Sequence, residues 1–534
     1  MMSATSTGVS YFNLLLQATQ DEDPISHVVQ GVIDQLVSGV ESLLDSDSGS
    51  DTCPSNDVNS HLVDSHLVND NEEAVTENKN ERFSCFEFQE EVEGDRQHDP
   101  NIKLKTQGSL FLRKRPTKCM PKKNPVCIEV QKSSFSPVCK RPRLQNMQEE
   151  HSTSTSVGYV FSNQILEQAD RIPKVKGRAR HVHELIKSYR LTCLLKVIPS
   201  KPATEDDLRS FHSLEYIEYI KTLESRDMNR TLDEDGQFET SMVGEDFGFG
   251  YDCPTIPSMM SLLKEIAGST LTAVKTVLEG TVKTAINFHG GWHHSKPDEA
   301  SGFCYVNDIV IGILYALKQP GVDRVLYLDF DLHHGDAVQD AFYHSSRVMT
   351  VSLHKYEIAF FPGTGALEDI GIGKGKGYSV NVPLKDGITD DNYRFVSKHV
   401  LNQVFSCFKP DLIVAQFGAD CIANDPLKSF NLTPDTLVSC LRQIKSWEKP
   451  LVILGGGGYN FINTSKTWTR LTAASVGVQL SNDIPEDEHF FLEYGPSFEL
   501  IVDPCFPRDC NDHSYLTRVI RTVQGNLNKF VSNS

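Results

Sequence analysis

Five short apolar runs, KTAINF, RVLYLDF, VMTVSL, LIVAQF and LVILGG, recur through the second half of the chain. A strand with one wet face alternates apolar and polar residues; these runs do not, so each predicts a strand buried on both faces, as in a parallel sheet covered by helices. Between most of them lie patterns of helical period, and VHELIKSY, LEYIEYIKTL and the stretch from Met259 to Leu278 read as helices. The texture begins near residue 157 and predicts an α/β domain over residues 155–534, with a central parallel sheet flanked by helices.

The upstream part reads differently. Residues 45 to 100 are rich in Asp, Glu, Asn and Ser with few large apolar groups, too little to offset the entropy of ordering. Residues 1–150 are therefore expected to form a mostly disordered extension. One island stands out, because Asp23-Pro24 is a good cap and first-turn pair and Ile25, Val28, Val29, Val32, Ile33 and Leu36 follow helical spacing. It predicts an amphipathic helix over 24–45, docked on its own domain or seated in a partner's groove.

Charge sharpens this division. The chain has 534 residues and a net charge of −19, yet residues 1 to 100 hold 21 acidic and 3 basic residues while 101 to 150 hold 3 acidic and 12 basic. The basic residues cluster at 113–123 (Arg113-Lys114-Arg115, Lys118, Lys122-Lys123) and at 140–143 (Lys140-Arg141-Pro142-Arg143), which reads as contact with the nuclear import machinery rather than sequence-specific nucleic-acid binding. Ser136-Pro137 beside the second cluster could accept a phosphate that weakens it. No run approaches the ~18 apolar residues of a membrane span. The first Lys or Arg is Lys79, so the N-terminus does not read as a secretory signal, and an intracellular protein is expected. Its 13 cysteines include no C-x-x-C pair, against both a disulfide framework and a cysteine zinc cage.

In sheets of this kind ligands bind beyond the carboxyl ends of the strands. KTAINF is followed by HGGWHH with His293 and His294, and RVLYLDF by Asp331, His333, His334 and Asp336, with Asp329 inside the run. LIVAQF leads to Asp420, and LVILGG to Tyr459. Asp331 and His333, two residues apart at a strand end, can leave the chain on one side and approach one metal ion, which Asp420 would complete. Two carboxylates and one imidazole leave a divalent zinc or iron with open positions for water and substrate, the catalytic arrangement. Asp329 and Asp336 are the natural partners for the paired histidines, leaving one histidine as base and the other as electrostatic partner or acid. Tyr459, after four glycines, can place a phenolic donor beside a developing oxyanion, and the parts together point to amide hydrolysis.

The segments GGWHHSKPDEASGFCYVND, LYLDFDLHHGD, SLHKYEIAFFPGTG, QFGADCIANDP and LGGGGYN resemble those of class I histone deacetylases, from about Gly158 to the C-terminus. The resemblance implies an arginase-deacetylase fold with about eight parallel strands, and zinc-dependent removal of acetyl or longer acyl groups from lysine in histones or other nuclear proteins. Ferrous iron is the alternative ion. Residue by residue it implies Asp331, His333 and Asp420 as metal ligands, His294 as general base and acid, His293 as its electrostatic partner, and Tyr459 as the carbonyl-polarising donor. Asp329 and Asp336 match the carboxylates behind His293 and His294. Phe303 and Phe361 match the walls of an acyl-lysine tunnel, with Gly302 and Leu427 beside it, Asp252 a rim carboxylate that holds substrate amides, and Arg178 an arginine of an internal channel. A monovalent cation, usually potassium, is implied at Asp329, Asp331, His333, Ser352 and Leu353, and another at Phe342, Ser345, Val348 and Tyr378. The IPKVKGRAR segment is about three residues longer than the family pattern at the substrate rim. A nuclear, and also cytoplasmic, location is expected. A non-catalytic acyl-lysine scaffold and a polyamine deacetylase are the competing readings, and an arginase-like dimanganese enzyme is disfavoured because it would need further carboxylates.

Overall fold

Among the described residues, eight strands numbered in chain order form one sheet in the order β2-β1-β3-β8-β7-β4-β5-β6, and every pairing is parallel. The computed structural model describes residues 156–227, 246–250, 252–357, 359–505 and 507–532. The helix expected at 24–45, the basic clusters, Ser136 and the rest of the acidic extension lie outside the described residues.

The chain runs through β1 (Val157–Val160), α1 (Asn163–Ala169), α2 (Arg178–Ser188), β2 (Lys196–Ile198), α3 (Glu205–Leu208), α4 (Leu214–Asp227) and α5 (Met259–Leu278). It continues through β3 (Thr284–Asn287), α6 (Asp308–Ala316), β4 (Val325–Asp329), α7 (Asp336–Phe342), β5 (Val348–Lys355) and β6 (Ser379–Leu384). It ends with α8 (Asp390–Phe408), β7 (Leu412–Gln416), α9 (Pro434–Lys445), β8 (Leu451–Leu454), α10 (Phe461–Val476) and α11 (His513–Phe530).

The lack of alternation in the apolar runs has the expected cause. In β4, Leu326 and Leu328 join one core while Val325 and Tyr327 join the other, and Ile413 and Ala415 of β7 part from Leu412 and Val414 in the same way. One layer takes residues from α2, α8, α9, α10 and α11, and the opposite layer from α5, α6 and α7. This is the α/β fold the sequence predicts. Trp468 of α10 ties the first layer to the strand ends: its ring stacks on Phe288 at 4.9 Å and its indole N–H donates to the Phe417 carbonyl at 2.8 Å. Among the described residues no helix is long and apolar enough to cross a membrane.

The strand order decides where chemistry can gather. The strands followed by HGGWHH, DLHHGD, GADC and GGYN are β3, β4, β7 and β8, and these are the four adjacent central strands of the sheet. Their carboxyl ends therefore converge on one edge.

Candidate active site

Beyond the end of β4 the chain keeps its alternation. Phe330 and Leu332 are fully buried in the core, so Asp331 and His333 between and after them turn to the other side. Asp420 arrives from beyond β7, and one ligand atom from each of Asp331, His333 and Asp420 lies within 4.8 Å of the others. His333 Nδ1 is 3.2 Å from Asp331 Oδ1 and 3.0 Å from Asp420 Oδ2. The other carboxylate oxygens are held from behind. Asp331 Oδ2 accepts from Gln416 Nε2 at 2.7 Å and from the Gly457 N–H at 2.8 Å, and Asp420 Oδ1 accepts from the Leu332 N–H at 3.0 Å.

The electrostatics ask for a cation. Burial and the charge of Asp331 push Asp420 up to about 7. Burial opposes charge on His333, but its bonds to Asp331 and Asp420 raise it to about 10. Two buried carboxylates facing one imidazole are short of positive charge, and their donor set suits a divalent ion with open positions. The residues present thus fit the metal that the sequence pattern implies.

The two histidines sit on a turn that Asp308 pins. This buried carboxylate at the start of α6 accepts from the Gly291 N–H at 3.0 Å, the Trp292 N–H at 2.9 Å and Thr270 Oγ1 at 2.5 Å. His293 Nδ1 then meets Asp329 Oδ2 at 2.8 Å, and His294 Nδ1 meets Asp336 Oδ1 at 2.8 Å, as the residue pattern predicts. A carboxylate acceptor requires the proton on Nδ1, which leaves each Nε2 toward the site. The two imidazoles then diverge. Burial and the neighbouring charge of His293 lower His294 to about 4, whereas for His293 the charges of Asp329 and Asp331 outweigh burial and raise it to about 9. These surroundings favour the neutral form of His294 and the charged form of His293, whose Nε2 is 3.8 Å from Asp331 Oδ1.

Tyr459 reaches the site because the GGGG turn lets backbone pass close to the ligands. Gly456 has φ 140°, which favours glycine, and a Cβ on Gly457 would collide with the Asp420 carboxylate. Asp425 Oδ2 anchors the turn by accepting from the Tyr459 N–H at 2.8 Å and the Asn460 N–H at 3.2 Å. Burial raises the Tyr459 phenol well above its usual value, so it is a donor throughout the physiological range.

His293, His294, Asp331, His333, Gly302, Phe303, Tyr459 and Arg178 all line one pocket. Phe361 stands edge-on to His294 at 4.8 Å, and Phe303 edge-on to Tyr459 at 5.8 Å. Asp252 Oδ2 accepts from the Gly302 N–H at 2.9 Å, and Leu427, whose N–H donates to Asp425, is 39 % exposed. Arg178 is buried, donates to the carbonyls of Gly456 and Gly458 at 2.9 and 3.1 Å, and lines a second, inner cavity with Trp292, Trp468 and His289. Of the residues expected to hold monovalent cations, Asp329 and Ser352 are register partners on β4 and β5, with Leu353 next along. Val348 opens β5, and Tyr378 precedes β6, its carbonyl accepting from the Thr350 N–H at 3.0 Å. Phe342 closes α7, and its carbonyl accepts from the Ser345 N–H at 2.8 Å.

Sequence reasoning missed Gln416, Asp308, Asp425 and His289. Gln416, a polar side chain inside an otherwise apolar run, and His289, directly after KTAINF, carried a signal, whereas Asp308 and Asp425 carried none. Because Gln416 holds the outer oxygen of Asp331, Gln416→Leu is expected to weaken metal affinity about 10- to 100-fold, measured by competition with a chromophoric chelator. Unchanged affinity would remove Gln416 from the support of the site.

Comparison with known proteins adds the lineage. Residues 172–475 match the family model described as histone deacetylase domain. The chain is 44% identical to histone deacetylase 8 of Danio rerio over 383 residues, covering 72% of this chain and 98% of the relative. It is 45% identical to histone deacetylase 8 of Xenopus tropicalis, covering 70% of this chain and 98% of the relative. With histone deacetylase 1 of Homo sapiens the identity is 39%, over 66% of this chain and 71% of the relative.

Proposed function

The chain belongs to the histone deacetylase family, of class I and similar to histone deacetylase 8, and we propose which of its residues carry out the metal-dependent hydrolysis of acetyl-lysine that this membership brings. The reading rests above all on one pocket that gathers Asp331, His333, His293, His294 and Tyr459, with Asp420 against the ligand pair.

Asp331, His333 and Asp420 hold the metal, with zinc the proposed ion and ferrous iron the alternative the same donors accept. When bound there, the ion would supply Lewis acidity toward an acyl oxygen and a water. His294 Nε2, bare because the ring proton stays on Nδ1 and is donated to Asp336, accepts a proton from the attacking water and returns it to the leaving lysine nitrogen. His293, held as a cation by Asp329, keeps positive charge beside the reacting centre. The Tyr459 hydroxyl donates to the oxyanion as the carbonyl carbon becomes tetrahedral. Acetate and a free lysine result. Phe303 and Phe361 flank the apolar stem of the substrate, Gly302 and Leu427 border the opening, and Asp252 receives substrate backbone N–H groups. Arg178 lines the inner cavity. Potassium or another monovalent cation would take the set of Asp329, Asp331, His333, Ser352 and Leu353, which shares two residues with the metal ligands, and the set of Phe342, Ser345, Val348 and Tyr378.

Residues 155–534 form the catalytic domain and 1–150 an extension, whose clusters at 113–123 and 140–143 engage the import machinery. Chromatin is the usual place of work for this family, and acetylated histones or other nuclear proteins are the proposed substrates. The test compares an acetyl-lysine peptide with an acetylated linear polyamine. Charge-assisted backbone bonds at Asp252 are available only to the peptide, so its kcat/KM is expected to be about 10- to 100-fold higher. A better polyamine would overturn the peptide reading, and turnover of neither would favour a scaffold.

A further inference from the structure

We propose that Lys174 selects substrates at the mouth of the acyl-lysine tunnel, favouring peptides with an acidic residue beside the acyl-lysine and disfavouring basic ones. The inference deepens the deacetylase reading and rests on it. Lys174 lies in the short 3-10 turn Pro173–Val175, directly ahead of the helix that carries Arg178. Ile172 and Val175 on either side are buried, and Val175 lines the pocket itself, so the turn is anchored at both flanks while the lysine between them is exposed.

Its ammonium has a defined seat. Lys174 Nζ lies 5.1 Å from the centre of the Phe303 ring and 5.2 Å from that of Tyr459, the two rings that meet edge-to-face at the pocket. A cation within about 6 Å of an aromatic face is held by the ring quadrupole. Among the described residues no carboxylate pairs with Lys174. Arg180 on α2 is answered by Asp170 at 3.9 Å, while the exposed Lys176 adds like charge. Asp252, bonded on one oxygen to the Gly302 N–H, makes no ion pair with Lys174. Among the described residues, the rim beside Tyr459 therefore presents a positive charge with no ion-pair partner where a peptide must pass.

The neutral acyl-lysine stem is indifferent to that charge, but a charged sequence neighbour stays at the rim, at a separation on the order of 8 Å. Unit charges at that distance in a water-like medium change an equilibrium about twofold, so exchanging Asp for Arg at one flanking position spans about fivefold. The effect is screened over a Debye length of about 8 Å at physiological salt and fades well above it.

The experiment uses the full chain and three acetyl-lysine peptides that differ only in having Asp, Ala or Arg next to the acetyl-lysine. Wild type, Lys174→Met and Lys174→Glu are compared at low and high salt, with the Ala peptide as reference within each variant, so that a general loss of activity cancels. Wild type is expected to rank Asp above Ala above Arg over about fivefold in kcat/KM. Lys174→Met should flatten the ranking, Lys174→Glu reverse it, and high salt erase it. The same ranking in all three proteins overturns the proposal. If wild type turned over none of the peptides, the deacetylase reading would fail, and Lys174 would be judged on dissociation constants of the same peptides, where a flat series overturns it.

Discussion

Tyr459→Phe is expected to lower kcat on an acetyl-lysine peptide by about 100- to 1000-fold, the usual cost of one oxyanion donor. The variant removes a single hydroxyl and leaves what places the ring. The backbone N–H of residue 459 still donates to Asp425 at 2.8 Å, and the edge-to-face contact with Phe303 at 5.8 Å is made by the ring alone. Metal content should be unchanged, because Asp331, His333 and Asp420 are untouched. KM should move little, since the lost bond strengthens only as the oxyanion forms. Steady-state kinetics with metal analysis on the same preparation checks this. A fall in kcat of less than about tenfold would mean that the phenol is not the oxyanion donor.

Withdrawal of the metal is expected to have the larger effect, a fall in turnover of more than about 1000-fold, because Lewis-acid help is worth several kcal/mol of barrier. The fold should survive. Asp331 and Asp420 keep their bonds to Gln416, Gly457 and Leu332, and His333 bridges the two carboxylates in their absence of a shared ion. Circular dichroism and the thermal unfolding midpoint distinguish lost chemistry from lost structure. Collapse of both together would make the cluster a structural site rather than a catalytic one.

What was legible in the sequence depended on whether a residue's role follows from local spacing. Asp331 and His333 stood out because strand alternation carries past the end of β4, and Asp420, His293, His294 and Tyr459 because each follows an apolar run. That these strands are neighbours could not be read locally, since β3 and β8 pair across more than 150 residues of chain. Three strands escaped notice for physical reasons. β1 contains a glycine, β2 has three residues and lies at one sheet edge, and β6 lies at the other edge, where SVNVPL can carry polar residues and a proline. Phe303, Phe361 and Asp252 were legible only through family resemblance, because lone aromatics and carboxylates more often serve packing and solvation. Asp308 and Asp425 work by accepting backbone N–H groups from distant turns, a role that leaves no spacing signature.

The most direct test follows acetate release from an acetyl-lysine peptide while zinc is titrated into chelator-treated protein. The account predicts activity that rises in proportion to added zinc, saturates at one ion per chain, and stays at background when Asp331 is replaced by Ala. Full turnover by protein stripped of metal, or equal turnover by the Asp331→Ala variant, would contradict it.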